Sequence, residues 1–297
     1  MIKPSQLEEL IRPYFVYSGK HFRLKDHDPG DTHGLNSEDK PEVKEFLAQG
    51  IARLSELQDI LYAQGQWGML LILQAMDAAG KDSTIKHVTS GVNPQGVDVY
   101  PFKSPSPEEL AHDYLWRSTK SLPPRGKIGI FNRSYYEEVL AVRVHPELLA
   151  RQRIPEVLRG HHFWKHRYQD INALEEYLTR NGLVIRKFYL NLSKKEQKKR
   201  FMARLNDPRK NWKFSAADLH ERKYWDDYQV AYEKMIRNTA TKHAPWVVVP
   251  ADNKWFSRLL VVASIVDALQ RLDLKYPKLT EAQQSTLKAE KKKLEKE

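Results

Sequence analysis

Residues 71–84, LILQAMDAAGKDST, constrain the fold of this chain more than any other stretch. Gly68-Met69-Leu70-Leu71-Ile72-Leu73 is a continuous apolar run without polar alternation, the pattern of a strand buried on both faces of a sheet. It breaks into small residues, then Gly80 and Lys81, then Asp82, Ser83 and Thr84 ahead of Ile85-Lys86-His87-Val88. A buried strand, a tight turn and a helix in succession gather the N–H groups of the turn and of the helix N-terminus around one point, where an anion belongs. Gly80 removes the Cβ that would block close approach, and Lys81 follows it so that its ammonium reaches the outer phosphates.

The stretch matches the phosphate-loop pattern G-x-x-x-x-G-K-[ST] imperfectly. Ala75 stands where the first glycine belongs and Asp82 where the hydroxyl residue belongs, leaving Ser83 or Thr84 to substitute. Ala78, Ala79, Gly80, Asp82 and Ser83 are the candidate phosphate-contacting positions; an ordinary strand-to-helix turn is the bland alternative. Asp77 lies inside the loop, where a carboxylate repels phosphate unless a cation stands between them. Either it turns outward or it holds magnesium and aligns the attacking oxygen, and the second reading is preferred.

Elsewhere, short apolar runs alternate with helical stretches. A leading amphipathic helix over Pro41–Gln64 follows an irregular arm at 16–36. Strands are predicted at Val97–Phe102, Lys127–Phe131, Leu183–Leu192 and Trp246–Val249. Helices are predicted from Pro107 to Ser121, up to Gly182, from Ser193, up to Lys242, and from Asn253 to Leu272. This alternation predicts a single α/β domain over 1–297 with a largely parallel sheet. Residues 1–66 form its arm and first helix, and 276–297 a nearly neutral surface tail. Cysteine is absent, which excludes disulfides, thiolate nucleophiles and cysteine-ligated metals. No signal peptide or membrane span is visible, so a soluble cytoplasmic protein is expected. Lys plus Arg number 49 against 38 Asp plus Glu, and the net charge of +11 favours a polyanionic partner.

Five motifs in one order resemble the polyphosphate kinase 2 family of the P-loop kinase superfamily: FRLKDHDPGDTHGL (22–35), AMDAAGKDST (75–84), FNRSYYEEVL (131–140), NDPRKNWKFSAADLHER (206–222) and APWVVVPADNKWFSR (244–258). The resemblance implies a three-layer P-loop kinase fold with a basic helical lid. It implies phosphoryl transfer between inorganic polyphosphate and the adenine nucleotides AMP, ADP and ATP, with magnesium, for which manganese can substitute, and a homo-oligomer. By the same resemblance Asp77 and Lys81 are the catalytic pair of the loop. Asn132 occupies a position where many members carry a metal-associated Asp; with Asp77 it is the candidate metal ligand, contributing an amide oxygen but no charge. Asn132 together with Glu137 resembles the class III subgroup, which accepts both AMP and ADP. Arg133 has the planar fork suited to a nucleotide phosphate, a surface ion pair being its alternative. Glu137 is a candidate binding residue, although Glu137 and Glu138 read equally well as solvated helix charges.

Between Lys194 and Lys213 lie nine Lys or Arg and only two acids. Arg200 and Arg204 share a helical face, and the segment breaks at Asn206-Asp207-Pro208 into Arg209, Lys210 and Lys213. It reads as a lid over about 200–224 that closes on a transferring phosphoryl group, offering polyphosphate a track of cations that Lys103, Lys120 and Arg125 extend. Nucleic acid is a weaker reading: Trp225, Tyr228 and Tyr232 recur at the spacing of core residues. His161, His162 and His166 lack the acidic partner of a metal motif and read as surface or packing residues. Asp26, Asp28 and Asp31 suit a turn as well as a cation, and Asp252-Asn253-Lys254 is a candidate nucleotide-contacting loop. The rivals are an ATP-dependent nucleotide kinase of similar fold and a non-catalytic polyanion-binding protein.

Overall fold

The computed structural model describes residues 4–213 and 215–297, with the side chains of 4–7 and of Lys213 outside that description. Six strands form one sheet: β1 (Phe15–Val16), β2 (Gly68–Gln74), β3 (Val97–Pro101), β4 (Ile128–Asn132), β5 (Leu183–Asn191) and β6 (Trp246–Pro250). Their order is β1-β6-β5-β2-β4-β3; only β1 runs antiparallel, against β6. The continuous apolar run ahead of the phosphate loop is thus the central strand β2. Leu71 lies opposite Ile130 of β4 on one side and Arg186 of β5 on the other.

The helices in chain order are α1 (Pro4–Ile11), α2 (Lys40–Gln64), α3 (Lys81–Val88), α4 (Pro107–Ala111), α5 (Trp116–Thr119), α6 (Ala141–Val144), α7 (Pro146–Ala150), α8 (Phe163–Arg180), α9 (Lys194–Leu205), α10 (Ala216–Glu221), α11 (Trp225–Thr239), α12 (Lys254–Gln270) and α13 (Glu281–Leu294). Strand side chains alternate between faces, so β2 feeds two cores. Met69, Leu71 and Leu73 pack with Leu54, Leu57 and Leu61 of α2 and with Leu260 and Val261 of α12. Leu70 and Ile72 pack with Ile171 of α8 and with Tyr232, Met235 and Ile236 of α11. Burying each of the aliphatic side chains among these contributes roughly 1.5–3 kcal/mol, and the three-layer architecture follows from both faces of β2 being apolar. Gly50 lets α2 approach α12 closely, since a Cβ there would meet Val262 Cγ1 at 2.9 Å.

One helix expectation changes, and one open alternative narrows. The helix predicted over Pro107–Ser121 is broken into α4 and α5, because the Asp113 carboxylate accepts the Leu115 N–H at 2.9 Å and closes a local turn in place of helix. The three arm aspartates follow the turn reading: Asp26 pairs with Arg23, Asp28 accepts the Gly30 N–H, and Asp31 accepts the Tyr14 hydroxyl. No helix among the described residues is long and apolar enough to cross a membrane.

Candidate active site

All five parallel strands end toward one edge of the sheet, and a cleft of about 860 Å³ opens there beside the loop between β2 and α3. Asp77 to Ser83 form its floor. The loop turns through two left-handed residues, Ala78 (φ 63°) and Gly80 (φ 106°), and Gly80 precedes the first turn of α3. Glycine adopts that geometry freely; alanine at 78 is strained and is held by its surroundings. The first turn of any helix leaves its N–H groups without intrahelical acceptors, so α3 presents those of Lys81, Asp82 and Ser83 at the cleft.

The loop is held from behind by α9. Gln197 donates to the Asp77 carbonyl at 3.0 Å, and Arg200 donates to the carbonyls of Ala78 (3.1 Å), Ala79 (2.8 Å), Ala251 (2.6 Å) and Asp252 (3.1 Å) while Glu196 accepts from its Nε at 3.0 Å. Arg200 lines the cleft, yet its guanidinium is buried with every donor nitrogen engaged by protein acceptors. Its guanidinium binds the loop backbone together with the β6–α12 turn, which no local pattern in the sequence indicates.

The polar groups of the site are engaged by one another and by the backbone. Arg133 donates to Asp77 Oδ1 at 2.9 Å, Asn132 Nδ2 donates to Asp82 Oδ1 at 2.8 Å, Arg204 lies 3.3 Å from Asp218, and Lys81 Nζ folds back onto the Ala75 carbonyl at 2.8 Å. Arg133 carries a positive φ of 64° at the end of β4. Burial pushes the Lys81 ammonium below the ordinary lysine value of 10.5, and the neighbouring Arg133 pushes it further, against the pull of Asp77, Glu137 and Asp82. Glu137 is the main cause that holds Arg133 firmly charged, with Asp77 adding to it. Burial and the Asp77 charge raise Asp218 above the usual aspartate range.

Lys103, Lys210 and Lys254 complete the ring of cations around the cleft, and Phe102 and Trp212 add aromatic surface. Lys254 belongs to the Asp252-Asn253-Lys254 stretch read from the sequence as a candidate nucleotide-contacting loop, and it lines the cleft, although it was not foreseen as one of the track cations. Asp218 was not foreseen either, although it lies within the motif at 206–222. Ser83 lines the cleft and donates to the Gly80 carbonyl at 3.0 Å, whereas Thr84 is buried behind it. Arg209 lies outside the lining and pairs with Asp207 at 3.2 Å; the Lys213 side chain lies outside the described residues. Lys120 and Arg125 do not line the cleft. Lys120 sits over the Trp116 ring, and Arg125 precedes β4 at the opposite end of the strands, donating to the Asn181 carbonyl. The cation track must run without them.

Glu137 and Glu138 diverge. Glu138 is buried and accepts from Arg167 at 2.9 Å, while both glutamates border a second, smaller pocket. That adjoining pocket, of about 170 Å³, shares Phe102, Lys103 and Arg133 with the main cleft. The Gln74 amide, oriented to satisfy both of its neighbours, donates to Glu137 Oε1 at 2.9 Å. Among the described residues no three His, Asp or Glu side chains gather as a metal cage, and His161, His162 and His166 lie at the surface. The carboxylate and amide oxygens at the cleft are those of Asp77, Asp82, Asp218 and Asn132, with Asp77, Asp82 and Asn132 beside the loop.

Comparison with known proteins adds an independent line. The chain is 53% identical over 251 residues to an ADP-polyphosphate phosphotransferase of Rhodopseudomonas palustris, covering 84% of this chain and 87% of that protein. It is 44% identical over 267 residues to an AMP/ADP-polyphosphate phosphotransferase of Meiothermus ruber, covering 90% and 96%. The crystal structure of polyphosphate kinase 2 from Arthrobacter aurescens superposes with a TM-score of 0.81 at 43% identity, covering 96% of this chain and 97% of that one. The sequence model of polyphosphate kinase 2 (PPK2) matches residues 37–277, a span that holds the loop, the β4 end and both cation-bearing segments. The chain therefore belongs to the polyphosphate kinase 2 family.

Proposed function

We propose that this protein transfers phosphoryl groups from inorganic polyphosphate to ADP and to AMP, forming ATP. The observation that carries the reading is the charge of the cleft: Lys81, Lys103, Arg133, Arg204, Lys210 and Lys254 converge on it from separate segments, against Asp77, Asp82 and Asp218. A surplus of cations spread along about 860 Å³ suits a polyanionic chain better than a single triphosphate. Relatives named for polyphosphate transfer support the donor, and the Rhodopseudomonas and Meiothermus proteins differ in whether AMP is named as an acceptor.

In this reading the α3 N-terminus and Lys81 bind the phosphate that is transferred, while Arg133 and Arg204 neutralise charge that develops as it moves. Phosphoryl transfer needs little covalent chemistry from a protein, and positioning with electrostatic stabilisation supplies most of the catalysis. Asp77 aligns the acceptor oxygen once a cation screens it from the donor. The donor set of Asp77, Asp82 and Asn132 suits magnesium, which takes one or two carboxylates and leaves its remaining positions to phosphate oxygens and water. When bound there, the metal supplies charge neutralisation between donor and acceptor phosphates. The pocket beside Glu137 is the place for the acceptor nucleoside, since it opens from the cleft at Arg133.

The test is to incubate the purified protein with magnesium and long-chain polyphosphate, offering ADP or AMP separately and resolving products over time. The reading expects ATP from ADP, and ADP followed by ATP from AMP, with both lost in Lys81→Ala. Reaction of ADP alone overturns the AMP assignment resting on Asn132 and Glu137. Transfer that appears only with ATP as donor overturns the polyphosphate assignment.

A further inference from the structure

Below the cleft, on the α8 and α11 side of the sheet, lies a buried charged network that reaches the substrate pockets only through Tyr135, which borders the pocket beside Glu137. Lys187 of β5 and Glu175 of α8 are both 0% exposed, and Tyr135 and Tyr136 are 2% and 0% exposed. Lys187 Nζ donates to Glu175 Oε2 at 2.6 Å, to the Tyr136 hydroxyl at 3.0 Å and to the Thr239 carbonyl at 2.7 Å. The Tyr135 and Tyr136 hydroxyls both donate to Glu175 Oε1, at 2.9 and 2.7 Å. Each ammonium proton and both carboxylate oxygens thus have a partner.

A buried ion pair is a poor source of stability, because its desolvation offsets its attraction and an apolar pair of similar size does as well. What a fully satisfied pair provides is a fixed position for the groups bonded to it. Here those groups belong to the 3₁₀ turn Tyr135–Val139, which follows Arg133 and Ser134 directly. Arg133 stands at φ 64°, a backbone conformation that side chains other than glycine rarely adopt. It is tied on its strand side by its own N–H to the Leu73 carbonyl at 3.1 Å, and Ser134 Oγ accepts from the Tyr136 N–H at 3.1 Å. The tyrosine hydroxyls anchor the other side. Such strain persists only where the surroundings over-determine it.

We propose that the Lys187–Glu175 pair, acting through the Tyr135 and Tyr136 hydroxyls, is a positioning device that holds Arg133 in its left-handed conformation and aims it into the cleft. The inference rests on the preceding functional reading, in which Arg133 meets substrate phosphate. Lys187, Glu175 and Tyr136 are positioning residues that line neither the cleft nor the pocket beside Glu137; Tyr135 borders that pocket, and a direct contact from it would add to the loss in the Arg133→Lys background rather than vanish there.

The experiment is a mutant cycle with Tyr135→Phe/Tyr136→Phe and Arg133→Lys, reading kcat, KM for ADP, KM for polyphosphate and Tm. Removing two hydroxyls keeps the rings that pack in the core, whereas Lys187→Met alone would leave a buried carboxylate unpaired. The expected result is a loss of about tenfold in kcat/KM for ADP in the otherwise native protein, with KM for polyphosphate unchanged, and less than about twofold further loss in the Arg133→Lys background. Equal losses in both backgrounds, or a lowered Tm with unchanged kinetics, would mean that the network serves only the core and overturn the proposal. Native behaviour of Arg133→Lys would overturn the reading of Arg133 itself, and the proposal with it. Should the double Phe variant not fold, Tyr135→Phe, which loses a single bond, goes through the same cycle with the same criteria.

Discussion

Arg200 and Arg209 belong to one basic segment, yet the side chain of Arg200 is 7% exposed and that of Arg209 is 90% exposed. The first lies within α9, where its donors meet four backbone carbonyls and a carboxylate. The second follows the break at Asn206-Asp207-Pro208, and its guanidinium pairs with Asp207. Positive charge written along a segment therefore reports the charge of the ligand but not the task of each cation. An arginine can satisfy a curved backbone as well as a phosphate, since its planar fork of five donors serves both.

The sharpest way to break this comparison is to remove Arg200. Arg200→Ala strips partners from buried carbonyls at Ala78, Ala79 and Ala251, each worth roughly 1–3 kcal/mol when left unsatisfied. We expect a Tm lowered by on the order of 5–10 °C. A misplacement of the loop by about 1 Å lowers kcat by about 10²-fold. Lys cannot replace the fork, so Arg200→Lys should recover little of either. A variant that lost affinity for polyphosphate while keeping its Tm and kcat would show that Arg200 faces the ligand after all.

The boundary between what the sequence announces and what it conceals runs along the same line. The central strand was legible because an unbroken apolar run of that length, closed by a turn of small residues, suits a strand buried on both faces and little else. The loop after it was legible because its context is so narrow. Trp225, Tyr228 and Tyr232 were legible as core from their helical spacing, and all three are buried. The clamp by Gln197 and Arg200 was not, since it exists only once α9 lies behind a loop more than a hundred residues earlier in the chain. Lys187 in LVIRKFYL gives no sign that its ammonium is buried against Glu175. Arg125 was misplaced for a simpler reason: charge does not say at which end of a strand a residue stands. Asp113 ended a helix that the apolar spacing would have continued, because a short carboxylate offers the backbone a competing partner.

A second measurement sharpens the contrast between cations that titrate and those that do not. Glu137 and Asp77 hold Arg133 charged throughout the accessible range, so an alkaline limb in activity cannot come from it. Lys81 is held below 10.5 by burial and by Arg133. In the free protein, kcat/KM should fall on the alkaline side at a pH below that of an ordinary lysine, and the limb in kcat should lie higher because bound phosphate favours the ammonium. For stability the sign is the reverse: the native state binds this proton more weakly than the unfolded chain. Lys81 therefore costs stability below its depressed pKa, and that cost is relieved as pH rises toward 10.5. Lys81→Arg should remove the limb from whatever activity remains; a limb that persists in that variant belongs to another group.

The smallest expected effects lie beyond the helix break, and there the comparison is made within two adjacent residues. Lys210 lines the cleft and reaches Asp207 at 2.6 Å, while Arg209 shares that carboxylate from outside the cleft. Hydrogen bonds from Lys210 first, and then from Arg209, hold Asp207 below the usual aspartate range. Both cations are exposed and screened by salt, so neither carries much of the protein's stability. Lys210→Ala should raise KM for polyphosphate by about threefold to tenfold, the equivalent of about 0.7–1.4 kcal/mol, with an unchanged Tm and a shallower dependence of KM on salt. Arg209→Ala should change KM by less than about twofold, since Lys210 keeps Asp207 paired and the lost charge lies off the path. If the two variants behave alike, cations on this stretch act through their common field and not through contact. The division between clamp and track would then lie at the helix break alone, with no further division among the exposed residues after it.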